Sequence, residues 1–555
     1  MNFKKIIIPI VLLTTLGGGC SKVGDKFDGL LDNPNNPTPD AANVDLFLNR
    51  VELGVQSVFN TAATVGGKLT RHEIFYGPIY QNGYSPEDFN GIWSTAYTSV
   101  LQNVNNMIPL AESQNRFVHV GIGKILKAYT IATLVDVFGD IPYSEANLGI
   151  DNTNPSIDGG ASVYAAALVL LDEAIADLTQ RAVTATPNPT NDLFYGGNRA
   201  RWVTAAKTIK LRLLLTSRLV NATEAKSGIE ALITEGNLID MPAEDFSFKY
   251  GTKQDAPNSR HPKYNTYYTA TGAGDYIGTY FMWAMTQEKG LGTFSDPRTR
   301  YYFYRQKVNL GGINEDNLPC AGINPPAHYV STDQPYCWLS AGFWGRDHGD
   351  NSGIPPDGTF RTAWGIYPAG GQFDASQNSR VTINMGAQGA GIAPMWMSSF
   401  TDFVLAESAL TLGTTGDPRV LLESGIRKSI ATVIAYPATV GYSVPADFVP
   451  TAAAINNYVN KVLELYDAAG TTKDKLEVVL KEYYLAAWGN GLEVYNTYRR
   501  TGMPSNIQPT LQATPGKFMS SFWYPADFVN LNQNADQKPG LDSKVFWDTY
   551  AGELK

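Results

Sequence analysis

The stretch "LEVVLKEYYLAAWGNG", residues 476–491, sets the fold class. Leu476, Val479, Leu480, Tyr483, Tyr484, Ala487 and Trp488 recur at spacings of three and four, which on a helix lines them along one side. Gly491 continues that side and predicts a point where a neighbouring helix comes close, because glycine has no Cβ to hold it off. The same spacing recurs upstream in Val118, Ile122, Ile125, Tyr129 and Ala132, in Val163, Ala167, Leu170, Ala174 and Leu178, and in Trp202, Ala205, Ile209 and Leu213. Residues 43–60 and 93–110 also read as helices, and Phe403, Ala406, Leu410 followed by Val420, Ile426, Ile430 predict a helix pair. Gly, Pro or Asn separates the members, so the helices come as hairpins, the unit of a solenoid stack. No strict period of about 34 residues runs through the chain.

The middle reads differently. Residues 241–395 are rich in Gly, Pro, Asn and aromatic residues and carry little helical periodicity. An irregular stretch of this length points to a functional loop region with short strands on a helical frame. The expected fold is therefore mainly α, with paired helices in tetratricopeptide-like stacking and a loop-rich subdomain. The expected organisation is a leader at 1–19, a tether at 20–42, helical regions at 43–240 and 396–555, and the loop-rich subdomain between them, all as one continuous unit.

The first twenty residues read as an export signal. Lys4 and Lys5 precede a short apolar run from Ile6 to Leu16, and Gly17, Gly18 and Gly19 precede Cys20. The run is too short to span a bilayer and has the flanks of a secretion signal. Small residues beside a cysteine resemble a bacterial lipobox, with Leu16 one place further from Cys20 than usual. Cys20 is the expected lipidation site, and the alternative is a plain secretory peptide. Residues 21–42 hold "LDNPNNPTPD", which disfavours helix and strand and reads as a spacer. No later apolar stretch is expected to reach membrane-spanning length, so the membrane is met through the lipid alone. Cys320 and Cys337 are the remaining cysteines. In an exported chain they can pair as a disulfide, or stay as free thiols.

Composition excludes some functions. The formal net charge is -9 and no run of five basic residues occurs, which leaves no dense basic face for nucleic acid. No G-x-S-x-G elbow, Walker loop or H-E-x-x-H is present; His72-Glu73 begins like a zinc helix, but position 76 is Tyr. No catalytic residue or cofactor is singled out.

Aromatic residues make up 12% of the chain, which is more than a core needs. A flat ring buries the C–H face of a sugar at little entropic cost, while Asn, Asp and Arg take its hydroxyls. The clusters with this mix are 75–93, with Tyr76, Tyr80 and Trp93, and 336–367, with Trp338, Trp344 and Trp364; Trp283 can add to them. Rings in such clusters either face a ligand or pack the subdomain. In "GRDHGDNSGIPPDG", 345–358, Asp347, Asp350 and Asp357 supply hard oxygens that suit a structural calcium ion, or else cap the turns.

Four segments carry a resemblance: "LVDVFGDIPYSEA" at 134–146, "FTDFVLAESALTLG" at 400–413, "YYLAAWGNGLEVYNTYRRTGMP" at 483–504, whose Arg499-Arg500-Thr501-Gly502 closes a long helix, and "SFWYPADFVNLNQN" at 521–534. In this order behind a lipobox they resemble the SusD/RagB family, in its starch-binding-associated branch. The resemblance implies a non-catalytic, lipid-anchored protein on the outer face of the outer membrane. It implies that nutrient, an oligosaccharide, passes to a TonB-dependent, SusC-like barrel partner. RagB-like members imply peptide as the alternative cargo, and a lipid-anchored glycoside hydrolase is the third reading.

Overall fold

The computed structural model describes residues 43–183, 187–308, 325–329, 339–351 and 356–555. The leader, Cys20, the spacer, Cys320, Cys337 and Trp338 lie outside the described residues.

Asn43 starts the first long helix, its side chain accepting from the Asp45 N–H at 2.8 Å. Helix α1 (Val44–Leu69) buries Leu48, Val51, Val55, Val58 and Phe59 along one side. Two α-helices, α2 (Asn90–Ser94) and α3 (Gln102–Ser113), are joined end to end by a π-helical stretch, Thr95–Leu101, that lies on α1. Antiparallel neighbours follow: α4 (Phe117–Phe138) on α5 (Gly160–Thr179), α5 on α6 (Arg199–Thr216), and α6 on α7 (Ala222–Glu235). After the loop-rich middle, α11 (Ser398–Leu412) pairs with α12 (Pro418–Thr439), and α13 (Ala452–Ala468) packs between α12 and α14 (Thr472–Ala486). Short helices α8 (Pro262–Tyr267), α9 (Thr279–Thr286) and α10 (Thr299–Tyr302) lie in the middle; α15 (Gly491–Thr501) and α16 (Ala526–Leu531) complete the C-terminal part. The fold is mainly α, built from paired helices.

Three expectations are corrected here. The 476–491 stretch is not one helix: α14 stops at Ala486, and Asn490 caps α15 by accepting from the Glu493 N–H. Gly491 does meet a neighbour, α1, where a Cβ would lie 2.1 Å from the Ala63 carbonyl oxygen. The helix closed by Gly502 is accordingly the short α15. Finally, α4 has 22 residues and is apolar enough to cross a membrane by length and composition, unlike the expectation for the chain after residue 20. Its sides are covered by α1, α3 and α5, so it serves as the core helix of the N-terminal half. Periodicity did not indicate α7 or α13.

The middle is a closed excursion. Strand β1 (Phe246–Lys249) pairs antiparallel with β4 (Ile392–Trp396), so the entry and exit of the region lie side by side. Inside it, β2 (Phe303–Tyr304) pairs with β3 (Ala363–Trp364).

One buried carboxylate ties the helices together. Asp136, in α4, accepts from Arg212 of α6, Tyr164 of α5, Asn496 of α15 at 3.0 Å and the Trp547 indole at 3.1 Å. Arg212 also pairs with Glu493 of α15. Removing one member of such a group strands a charge in the core, which costs roughly 3–5 kcal/mol. Arg212→Met is therefore expected to lower unfolding stability by about that amount, read from urea denaturation midpoints.

A second acidic pair lies at the other end of α1. Glu52 is fully buried beside Asp192, which itself accepts from Trp202 Nε1 at 2.7 Å. Burial first, then the hydrogen bond and charge of Asp192, push the Glu52 pKa from 4.5 up to about 9. The folded chain thus holds a proton that the unfolded chain loses. The resulting stabilisation is complete below pH 4.5 and is lost as pH rises through about 9. Urea midpoints measured at pH 5, 7 and 9 are expected to fall with pH, and Glu52→Gln is expected to flatten that slope.

Candidate functional site

The end of α1 turns sharply. Arg71 adopts a left-handed backbone with φ 69°, and its buried guanidinium donates to Leu69 O at 2.6 Å and to Gln508 O at 3.0 Å. The turn sends residues 72–76 alongside 275–278. Ile74 N donates to Tyr276 O at 3.2 Å, Gly278 N donates to His72 O at 3.1 Å, and Glu73 bridges Ile277. Position 278 has to be glycine for this approach, since a Cβ there would lie 2.2 Å from Arg71 O.

This short ladder presents Tyr76. Tyr76 is 40% exposed, and every other aromatic residue among the described ones is buried or half-buried. Its hydroxyl donates to Asp275. Lys68 lies 5.6 Å from the ring centroid and 3.9 Å from the Asp275 carboxylate. Burial, and then the Asp275 charge, raise the Tyr76 hydroxyl pKa, so it stays a neutral donor. Behind it, Tyr276 donates to Asp357 at 2.7 Å, and the Arg361 guanidinium covers the Tyr276 ring at 4.0 Å. Asp357 also accepts from Arg361 Nε at 2.7 Å and Trp344 Nε1 at 2.8 Å. The result is a platform: a part-exposed phenol ring tied at its hydroxyl to Asp275, with Lys68 over the ring and Arg361 nearby.

A polar slot adjoins the platform. Asn60 and Thr64 of α1, Glu73, His261, Lys263 and the edge of Trp364 line it. Its volume of about 30 Å³ has room for a water or two and not for a sugar ring. Glu73 is paired with Lys263. Burial lowers the pKa of His72 and of His261 to about 3, so both rings are neutral. No unpaired carboxylate faces this slot among the described residues.

Of the other expected ligand-facing rings, those among the described residues are buried or half-buried. Tyr80 is 1% exposed and its hydroxyl meets His348 Nε2 at 3.0 Å. Trp93 is half-buried between Phe138 and Phe528. Trp283 is buried in α9 near Tyr280. Trp344 belongs to a small cluster with Ile74 and Tyr276. Trp364 stacks on Trp488 with ring centroids 3.8 Å apart and reaches only the slot. Tyr80, Trp283, Trp344 and Trp364 are thus buried, and Trp93 keeps part of its surface exposed. The three aspartates do not gather around a cation either. Asp350 is paired with Arg346, Asp357 with Arg361, and Asp347 accepts from Gln508 Nε2 at 3.0 Å. Guanidinium groups thus face Asp350 and Asp357, and no group of three or more metal-ligating side chains forms among the described residues. Lys68, Asp275 and Arg361 were not indicated by the sequence, because no periodicity marks a residue in the last turn of a helix and two loop residues that converge from distant segments.

Two family models match the chain: "SusD-like_2", described as starch-binding associating with outer membrane, over residues 47–323, and "SusD-like", the SusD and RagB outer membrane lipoproteins, over residues 369–538. The chain belongs to the SusD/RagB-like family. Solved structures share the fold of this SusD-like chain. A SusD/RagB family protein from Bacteroides thetaiotaomicron is 18% identical with a TM-score of 0.65, covering 92% of this chain and 99% of its own. A chitin-binding SusD homologue from Flavobacterium johnsoniae is 18% identical with a TM-score of 0.61, covering 91% and 98%. No curated protein matches.

The four family-like segments of this SusD-like protein converge in the core and not at the platform. Asp136, Glu407 and Arg499 come from three of them. Glu407 takes both Arg500 and Arg218, and Arg499 donates to Ser520 O at 2.6 Å beside the fourth. Framework and platform should therefore respond differently to mutation. Trp344→Ala is expected to lower stability by about 3–5 kcal/mol, while Tyr76→Ala stays within about 1 kcal/mol of the parent, both measured by urea unfolding.

Proposed function

We propose that the chain is a non-catalytic capture protein that holds an oligosaccharide against the Tyr76 platform and passes it to a TonB-dependent, SusC-like barrel, with Cys20 as its lipid anchor at the cell surface. The observation that carries this reading is the open Tyr76 ring with its edge fixed by Asp275. A sugar ring stacks on the exposed face, and Lys68, Asp275 and Arg361 meet its hydroxyls. Such stacking is individually weak, which suits a protein that must release its cargo. Starch and chitin in the descriptions of the family and of a structural neighbour support a glycan as the cargo class. Capture without catalysis is supported by the paired state of Glu73 and Asp275 and by neutral His72 and His261.

The test is calorimetric titration of the full chain with malto- and chito-oligosaccharides. Tyr76→Ala is expected to weaken the binding series at least tenfold, about 1.4 kcal/mol, with the sugars recovered at their original length. Binding that Tyr76→Ala leaves unchanged, or binding only to peptides, would overturn the reading.

A further inference from the structure

A larger hollow lies away from the platform, on the C-terminal helices. It has a volume of about 370 Å³, within the range of small-molecule sites. Val462 and Leu465 of α13 and Val478 of α14 form an aliphatic wall. The opposite side is charged. Lys481 pairs with Glu288 at 2.8 Å, and Lys289 pairs with Glu482 at 2.9 Å. Lys481 also donates to Tyr280 Oη at 2.7 Å and Asn506 Oδ1 at 3.1 Å, so its three donors are used.

The carboxylates are not all answered. Glu477 lines the same hollow, giving three glutamates to two lysines; Arg298, which reaches Glu482 at 3.3 Å from behind, is shared with Asp296 and leaves that excess of one carboxylate unchanged. Neighbouring residues hold two of them: Ser505 N donates to Glu477 Oε1 at 2.8 Å and Asn506 Nδ2 donates to Glu288 Oε1 at 2.6 Å. Glu477 and Glu288 therefore flank one dipeptide. Glu288 Oε2 is buried with no hydrogen-bond partner among the described residues. Burial raises the Glu477 pKa against the opposing pull of Ser505 and Lys481, and the nearby Glu288 charge adds to the rise.

We propose that this hollow is a second ligand site, separate from the platform, that takes a small organic ammonium compound, with its ammonium between Glu288 and Glu477 and its hydrocarbon part on Val462, Leu465 and Val478. An ammonium supplies the donors and the single positive charge that the lining lacks, and the aliphatic wall excludes water from the rest of the molecule. This site does not depend on what binds at Tyr76.

The probe is cyclohexylammonium chloride, titrated into the full chain by calorimetry and saturation-transfer NMR, with cyclohexanol as the neutral counterpart of similar shape. The ammonium is expected to bind saturably and at least tenfold more tightly than the alcohol. Glu477→Gln is expected to remove at least tenfold of that affinity. Leu465→Trp, at a wall position that is 41% exposed and tolerant of change, is expected to fill the hollow and do the same should the first variant fold poorly. Oligosaccharide is expected not to compete. Absent or non-saturable binding, equal affinity for the alcohol, retained affinity in a folded variant, or competition by oligosaccharide would each overturn the proposal.

Discussion

The arrangement depends on a carboxylate that has been taken out of water and fully answered. Asp136 is 0% exposed, yet its oxygens receive four donors from α5, α6, α15 and the C-terminal segment. A buried charge is tolerated only when such partners compensate it, so the group acts as a geometric constraint on where those elements can sit. Arg499 extends the constraint, donating to Asp136 O and to Ser520 O, and Arg500 with Glu407 repeats the device between α15 and α11. The N-terminal and C-terminal helices are thereby locked into one frame. The position of α1 follows, because α15 lies on it at Gly491.

That lock is what allows the site to be made of loops. The turn at Arg71 leaves the end of α1, and its guanidinium holds the 508 segment by a backbone carbonyl. Residues 72–76 and 275–278 then pair over a support of Tyr276, Trp344 and Asp357. Each layer removes a rotational freedom, so under the proposed function little entropy would be left to lose when a sugar ring stacks on Tyr76. The same packing explains why the platform is small. The aromatic side chains beneath it are occupied in holding it.

The helical frame was legible because its periodicity is a direct consequence of burial. Val163, Ala167, Ala174 and Leu178 line one buried side of α5, where Leu171 takes the place expected for Leu170, while Val118 to Ala132 lie on a helix buried nearly all round. The break between Ala486 and Gly491 was missed although "WGNG" contains its breakers, since apolar spacing continues across it while Asn490 restarts the helix. The family resemblance was carried by residues such as Asp136, Glu407 and Arg499, which shape the core and say little of the cargo. Which of the expected rings stay exposed was legible only in part. Tyr76 is open, but Tyr80, Trp283, Trp344 and Trp364 are packed. An irregular region with two-stranded sheets has few aliphatic stripes to bury, and large rings make its core instead. Abundance of tryptophan in a loop region thus signals either role equally, and only three-dimensional placement separates them. The aspartates of 347–357 carried a similar ambiguity: Asp350 and Asp357 are each paired with an arginine four residues away, and Asp347 accepts from Gln508.

The central claim is that an open ring on a rigid frame grips glycan without transforming it. Hydrogen exchange of the full chain with and without saturating oligosaccharide, followed by mass analysis of the recovered sugar, addresses it most directly. The account predicts slowed exchange confined to residues 72–80 and 271–278, a helical frame unchanged, and sugar of unaltered length. Slowed exchange elsewhere with those segments unaffected, or shortened sugar, would contradict it.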